Sequence, residues 1–382
     1  MPLSLILLAL AATASGLLAQ QPAAARTFTF DPADPRENVA DDAPKPPFVS
    51  SARRVTTAPE LPDAPDEWIA NSLQWVNFVL EHYRPSARAE HPLRRAALIR
   101  LDDILHIPSA PEKPLVQKFY QDRIEQAVAD IERTKVTEGM RIWKLYNHGF
   151  LVRTPTVSFA FDIVPGIRTV GFKVSKSLLE RIARQADAIF ISHLHNDHAN
   201  KDVARIFLSM NKPVIAPEGL WADTPDLASK LTYPKRSTSA VHDIPLGSNI
   251  GKSLKVVAYP GHQGPRVLVN VHLVTTPEGF TVVQTGDQSG DPGPGGDFDW
   301  IAQIGRDHKV DVLMPNCWAN GLGRMVRGVN PRLVITGHEN EMGHNVAHRE
   351  DYTQTYNRLF PIHYPAPVMT WGESFHYRRD DF

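Results

Sequence analysis

Apolar positions recur at two different spacings along this chain, and the change-over falls at Gly139. Before it, Ile69, Leu73, Val76, Leu80 and Tyr83 repeat at helical spacing, and Pro65 followed by Asp66 and Glu67 suits a helix N-terminus. A second helix is expected from Pro92, with Leu93, Ala97, Leu101 and Ile104 on one face and a stop before Pro108. A third begins near Pro114 and presents Tyr120, Ile124, Ala127 and Ile131. Such stripes are core contacts, and Trp68, Trp75 and His82 are read as structural with them. After Gly139 the alternation has a period of two, which predicts strands over 141–146, 150–153 and 156–163. A helix over 176–185 then leads into an unbroken apolar strand, 188–192. Beyond it, a helix over 202–210 and strands over 213–217, 256–259, 267–275, 280–285, 310–314 and 333–336 are expected.

The first residues, 1–19, form a Leu- and Ala-rich run without charged side chains and end in small residues, the layout of a secretory signal peptide. Cleavage would fall at Ala14, at Ala19 or near Ala25, leaving an exported protein, periplasmic or secreted, with no stable membrane span. A short membrane anchor is the alternative. From 20 to 65 the chain is dense in Pro, Ala and Asp without periodicity, as in a linker or surface arm, and 66–138 form a helical extension. Apolar residues make up 42% and charged residues 22% of the 382-residue chain. The formal net charge of −1 gives no electrostatic reason to expect nucleic acid as a partner. The lone Cys317 cannot form an internal disulfide and is read as a small buried apolar side chain.

Candidate chemistry is concentrated in His193-Leu194-His195-Asn196-Asp197-His198, directly after the buried strand 188–192. Titratable groups crowded at a strand end are costly to desolvate alone, and a divalent metal is the partner that binds imidazole and carboxylate together. Three later residues share that setting: His262 after Tyr259-Pro260-Gly261, Asp287 after Gln284-Thr285-Gly286, and His338 after Ile335-Thr336-Gly337. A glycine precedes each, which lets the backbone pass close to a compact site. His272, inside a strand, is expected to be a hydrogen-bonded sheet histidine, and His344 and His348 are weaker metal candidates four residues apart. His338-Glu339-Asn340-Glu341-Met342 is not a zincin motif, because Met342 stands where a second His is required.

With this set the chain resembles the metallo-β-lactamase superfamily over roughly 139–343. The resemblance implies an α/β fold, a four-layer αββα sandwich, with a catalytic domain over 139–382 and the N-terminal helices packed against it. It implies that His193, His195 and His262 hold one divalent ion, that Asp197, His198 and His338 hold a second, and that Asp287 bridges them. Zinc is the leading metal, with manganese or iron as alternatives. Two such ions activate water against an ester, lactone or phosphodiester of a small-molecule or lipid-like substrate, and Asp197 is placed to take the released proton. The bridging Asp287 points away from β-lactam hydrolysis and towards the relatives of glyoxalase II, tRNase Z, lactonases and phosphodiesterases. Tyr146-Asn147-His148-Gly149 resembles the Gly-His-Ser segment of the lactonase-like and phospholipase-D-like branch, departing from it at Asn147 and Gly149. On that basis His148 is a catalytic candidate that would stabilise or protonate the substrate oxygen. A tRNA-processing role is disfavoured, since the chain has no basic arm and is expected to leave the cytoplasm. The alternatives are a di-iron oxidoreductase of the same fold and a β-lactam hydrolase.

Overall fold

Three helices precede the sheets in the computed structural model, which describes residues 63–167, 172–289 and 297–382; the expected signal peptide and most of the arm lie outside the described residues. Helix α1 (Asp66–His82) has two acidic residues in its first turn and buries Ile69, Leu73, Val76, Val79 and Leu80. Helix α2 (Pro92–Leu105) starts on His91, whose side chain accepts from the Leu93 amide. Its buried stripe differs from the expected one: Leu93 is exposed, while Arg94 and Asp102 turn inwards beside Ala97, Leu98, Leu101 and Leu105. Both buried charges have partners, Arg94 forming a two-pronged pair with Glu373 at 2.7 and 2.6 Å. Helix α3 (Pro114–Arg133) buries the four expected positions and adds Val116, Phe119, Arg123 and Val128.

Strands β1 (Met140–Lys144), β2 (Phe150–Arg153) and β3 (Ser158–Phe161) form an antiparallel meander. A short hairpin follows, β4 (Gly166–Ile167) and β5 (Phe172–Lys173), then α4 (Lys176–Gln185), capped by Ser175. Next come β6 (Ala188–Phe190), α5 (Lys201–Ser209), β7 (Val214–Ile215), α6 (Pro225–Ala228) and β8 (His242–Pro245). The second half holds β9 (Ser253–Gln263), β10 (Val267–Thr275), β11 (Thr281–Gln284), α7 (Asp297–Asp307), β12 (Val312–Met314), α8 (Leu322–Val329), β13 (Leu333–Val334), α9 (Tyr352–Leu359) and β14 (Glu373–Tyr377).

Two mixed six-stranded sheets result, in the orders β14-β1-β2-β3-β6-β7 and β13-β12-β11-β10-β9-β8. The period-two pattern decides what each face touches. Ile142, Phe150, Phe159, Phe161 and Phe190 of the first sheet meet Val256, Val274, Val282, Met314 and Leu333 of the second in one apolar cluster. The opposite faces carry Trp143, Leu151 and Ile189 on the first sheet and Val257, Tyr259 and Leu313 on the second, and these pack with the helices in another cluster. The order is therefore helix, sheet, sheet, helix, as the resemblance implied. The N-terminal helices share that outer cluster; Tyr120 of α3 meets Tyr146 and Trp371 edge-on, with ring centroids 5.3 and 5.1 Å away.

Strands β8 and β14 and helices α7 to α9 were not expected. In β8 only Ile244 is buried and β14 mixes polar with apolar residues, so neither shows an alternating stripe. Helix α8 is short and bounded by Gly321 and Asn330, both in left-handed backbone. The strand expected over 256–259 runs longer, from Ser253 to Gln263, which places His262 at its C-terminal end. Among the described residues no helix is long and apolar enough to cross a membrane.

Candidate metal centre

The ends of β6, β9, β11 and β13 deliver the candidate ligands to one edge of the sandwich. After β6 the chain leaves the sheet through Ile191 and Ser192 and places His193, His195, Asp197 and His198 in a bend. The bend is closed by Asn200, whose side chain accepts from the amides of Asp202 and Val203 at 3.0 and 3.1 Å and so fixes where α5 begins. Asp287 follows β11, and His338 follows β13.

These residues gather into two groups that share one carboxylate. Ligand atoms of Asp197, His198, Asp287 and His338 lie within 4.8 Å of one another, all on buried residues; those of His193, His195 and Asp287 do likewise. Within the first group His198 Nε2 is 3.2 Å from Asp197 Oδ2 and 3.1 Å from Asp287 Oδ1. His338 Nε2 is 3.3 Å from Asp197 Oδ2 and 3.5 Å from Asp287 Oδ1. In the second, His193 Nε2 is 3.7 Å from Asp287 Oδ2. His262 belongs to neither group; its ring is 31% exposed and is held from behind by Asp297 Oδ1, 3.0 Å from Nδ1.

His193 Nε2, His198 Nε2, His338 Nε2 and Asp287 Oδ1 are buried and have no hydrogen-bond partner, a condition that costs each of them its lost hydration. The charge balance points the same way. Burial opposes ionisation of Asp197 and Asp287, yet His198 and His338 beside them hold both carboxyl groups below the usual range. Burial would lower His198 and His338, but Asp287 and Asp197 more than reverse it and raise both well above the ordinary histidine value. His193 goes the other way, pushed down to about 3 by burial and by the charge on His198. Two buried carboxylates thus draw positive charge into the site, supplied without metal by protons on His198 and His338; a divalent cation takes the place of those protons when imidazole and carboxylate bind it. The donor set, imidazole with carboxylate, fits zinc, manganese or iron.

Polar groups behind the candidate ligands fix their orientation, as metal-binding histidines require. Asp162 Oδ2 is 2.9 Å from His198 Nδ1, and the same carboxylate accepts from the Ser192 hydroxyl at 2.7 Å and from Gln284 at 2.8 Å. Ser192 Oγ lies 3.0 Å from His193 Nδ1, and Glu350 Oε2 lies 3.6 Å from His338 Nδ1. Asn147 donates to Asp197 Oδ2 at 3.1 Å, and Gln263 donates to Asp287 Oδ2 at 3.0 Å. Asn147, Asp162, Gly286, His338 and Asn340 all have left-handed backbone. Asn211, Trp221, Asn330 and His363 share this backbone elsewhere; Asn and Asp adopt it readily, and at His338 it aims a candidate ligand. A glycine is required at Gly337 for a different reason: a side chain there would collide with the His148 ring.

His148 lies fully buried, with Nε2 3.3 Å from the Met314 carbonyl and its ring centroid 5.8 Å from that of His198. Burial and the charge on His198 push it down to about 4. His148 therefore sits behind His198, and Asn147 is the member of that turn that touches a candidate ligand. His272 departs from expectation: it lies in β10 with its ring 5.2 Å from that of Phe190, and both ring nitrogens are buried without a partner. His344 forms a further group with His338 and Glu350, while His348 offers it only a carbonyl. Cys317 is buried, as expected, and burial raises its thiol well above the usual value.

Asp162, Asp297, Glu350 and Gln263 were not singled out from sequence, and Asn147 was noted there only as a departure from the Gly-His-Ser segment. Asp162 alone carried a usable signal, since it ends the apolar strand β3 just as the candidate ligands end theirs.

Neither a protein-family model nor a curated protein matches the chain in sequence. Solved structures do. Igni18, a metallo hydrolase from the archaeon Ignicoccus hospitalis, is 16% identical and aligns over 63% of this chain and 99% of its own, with a TM-score of 0.45. A possible metal-dependent hydrolase from Veillonella parvula is 14% identical over 63% of this chain and 100% of its own, with a TM-score of 0.44. CmlA, a diiron β-hydroxylase from Streptomyces venezuelae, is 15% identical over 63% of this chain and 55% of its own, with a TM-score of 0.43. None of these likenesses decides what the chain does.

Proposed function

We propose that the chain is a metal-dependent hydrolase with a dinuclear centre that activates water against an ester, lactone or phosphodiester bond. The observation that carries this is the pair of ligand groups sharing Asp287, in which His193 Nε2, His198 Nε2, His338 Nε2 and Asp287 Oδ1 are buried without a hydrogen-bond partner. His198, His338 and Asp197 would hold one ion, His193, His195 and His262 the other, with Asp287 common to both. When bound, the ions supply an acidified water and a Lewis acid for the substrate oxygen. The chain's own residues do the rest. Asn147 holds Asp197 at Oδ2, so that this carboxylate is oriented to take a proton at its other oxygen. His148 is assigned a positioning role, since its buried ring supports His198 and the Gly337 turn and has no face open to a substrate. Gln263 holds Asp287 at Oδ2 with its amide NH2.

The substrate is expected to be a small or lipid-like molecule, and the chain is expected to act after export. Sequencing the mature N-terminus checks export; a retained Met1 would refute it. The function is tested by assaying metal-free and reconstituted protein on lactones, thioesters, phosphodiesters and phospholipids. Metal-dependent cleavage of one class is the expected result. Iron-loaded protein that consumes oxygen and cleaves none of them would favour the oxidoreductase alternative.

A further inference from the structure

The segment from His338 to Met342 is buried although it is mostly polar, and each polar side chain after His338 is tied to a different part of the molecule. Glu339 pairs with Lys144 of β1. Glu341 accepts from the Tyr146 hydroxyl at 2.5 Å and from the His344 amide at 2.8 Å. Asn340 is tied to the N-terminal extension: its amide donates to Asp102 Oδ1 of α2 at 2.9 Å. The same carboxylate accepts from the Tyr352 and Thr353 amides at the start of α9, at 2.9 and 3.1 Å. Beside it, Arg349 donates to the Leu105 carbonyl at the end of α2 at 2.7 Å, and the His106 ring lies 2.8 Å from the Arg349 carbonyl. Asn340 N also donates to the Glu350 carbonyl at 2.8 Å, and the Glu350 carboxylate faces His338 Nδ1.

We propose that Asp102 is a positioning residue for the ion held by His338: the N-terminal helices fix the second metal ligand by fastening Asn340 and the start of α9 to α2. This rests on the dinuclear reading of the site. Both His338 and Asn340 stand in left-handed backbone, φ 75° and 54°, a conformation that Asn adopts readily but that relaxes at His338 unless something enforces it. His338 stands past the end of β13, beyond Ile335, Thr336 and Gly337, so release of Asn340 two residues later frees the ligand to turn away from Asp197 and Asp287. Asp102 supplies the enforcement from a helix that lies more than two hundred residues earlier in the chain. A carboxylate that merely capped α9 would have no use for Asn340.

Full-length protein and three variants separate these roles. Asp102→Asn weakens the whole clamp; Asn340→Gly removes only the tie to the ligand segment and still accommodates the left-handed backbone. Asp351→Ala removes a cap of α9, the Gln354 amide bond, and leaves Asn340 alone. Competition with a chromophoric chelator measures affinity for each of two zinc equivalents, and thermal melting of the metal-free proteins measures folding. Asp102→Asn and Asn340→Gly should each weaken one equivalent by roughly 10–100-fold, the cost of disturbing groups behind a ligand, and leave the other unchanged. Asp351→Ala should lower the melting temperature without changing either equivalent. Unchanged zinc affinity in Asn340→Gly, or an equal loss in Asp351→Ala, overturns the proposal. If wild-type protein binds two equivalents and His338→Ala keeps both, the assignment of His338 is at fault; if wild type binds none, the dinuclear reading falls and the clamp with it.

Discussion

The two candidate half-sites differ in how they are built. The inner group draws Asp197, His198, Asp287 and His338 from three separate segments, all at most 5% exposed. It is backed by Asp162, Asn147 and Glu350, and through Asn340 by a helix of the extension. The outer group takes His193 and His195 from one short bend, leaves His195 half-buried, and adds a His262 ring that is 31% exposed. A metal site with an open side exchanges ligands and admits substrate, whereas an enclosed one is part of the fold's own stability. The inner ion should therefore be bound with the fold, and the outer ion should be the one that water, substrate and chelators reach.

The largest expected effect lies at the enclosed side. His198→Ala leaves Asp162, Asp197 and Asp287 buried without their shared partner, a loss of about 3–5 kcal/mol as for other broken buried charge pairs. Denaturant titration of metal-free protein should show it; His262→Ala, on the exposed side, should show little change in the same titration. His148→Ala opens space under His198 and Gly337, so activity and bound metal should fall together, as elemental analysis beside turnover will show. Turnover reduced by roughly 10²–10⁴-fold with metal intact would instead mark His148 as a general acid. Asp297→Asn, behind His262, should weaken only the outer ion by roughly tenfold or more, read by a chelator time course whose fast phase grows faster.

The smallest effect distinguishes site from scaffold. His272 lies between the sheets with unpartnered ring nitrogens, and burial holds it down at about 4, below its unfolded value near 6.5. It is neutral when folded and takes up a proton on unfolding below that value. Stability should therefore be fully present above about pH 6.5 and decline as pH falls towards about 4. His272→Leu should flatten that slope and add on the order of 1 kcal/mol at acid pH, with metal content unchanged.

The same contrast explains what could be read from sequence. His193, His195, Asp197 and His198 were legible because ligand spacing within one bend is a local property, and His262, Asp287 and His338 because each ends a strand after a glycine. Individual strands followed from alternation, their packing as two sheets from the resemblance, and the three N-terminal helices from their apolar stripes. What encloses the inner group was not legible. Asp102 and Asn340 are separated by 238 positions, and nothing near either one signals the other. Asp297 follows a glycine- and proline-rich run with no periodicity, and Glu350 lies in a polar stretch with no apolar pattern. His272 was expected to be hydrogen-bonded, since strand alternation gives the face a side chain points to but not the partners it finds there.

Two unequal metal half-sites joined by Asp287 are the central claim, and counting ions tests it most directly. Elemental analysis of reconstituted wild type should give about two divalent ions per chain, and His262→Ala and His338→Ala about one each. The ion left in His262→Ala should resist chelator, and the ion left in His338→Ala should be lost readily. Wild-type protein that retains no metal, or two variants that keep the full complement, would contradict the account.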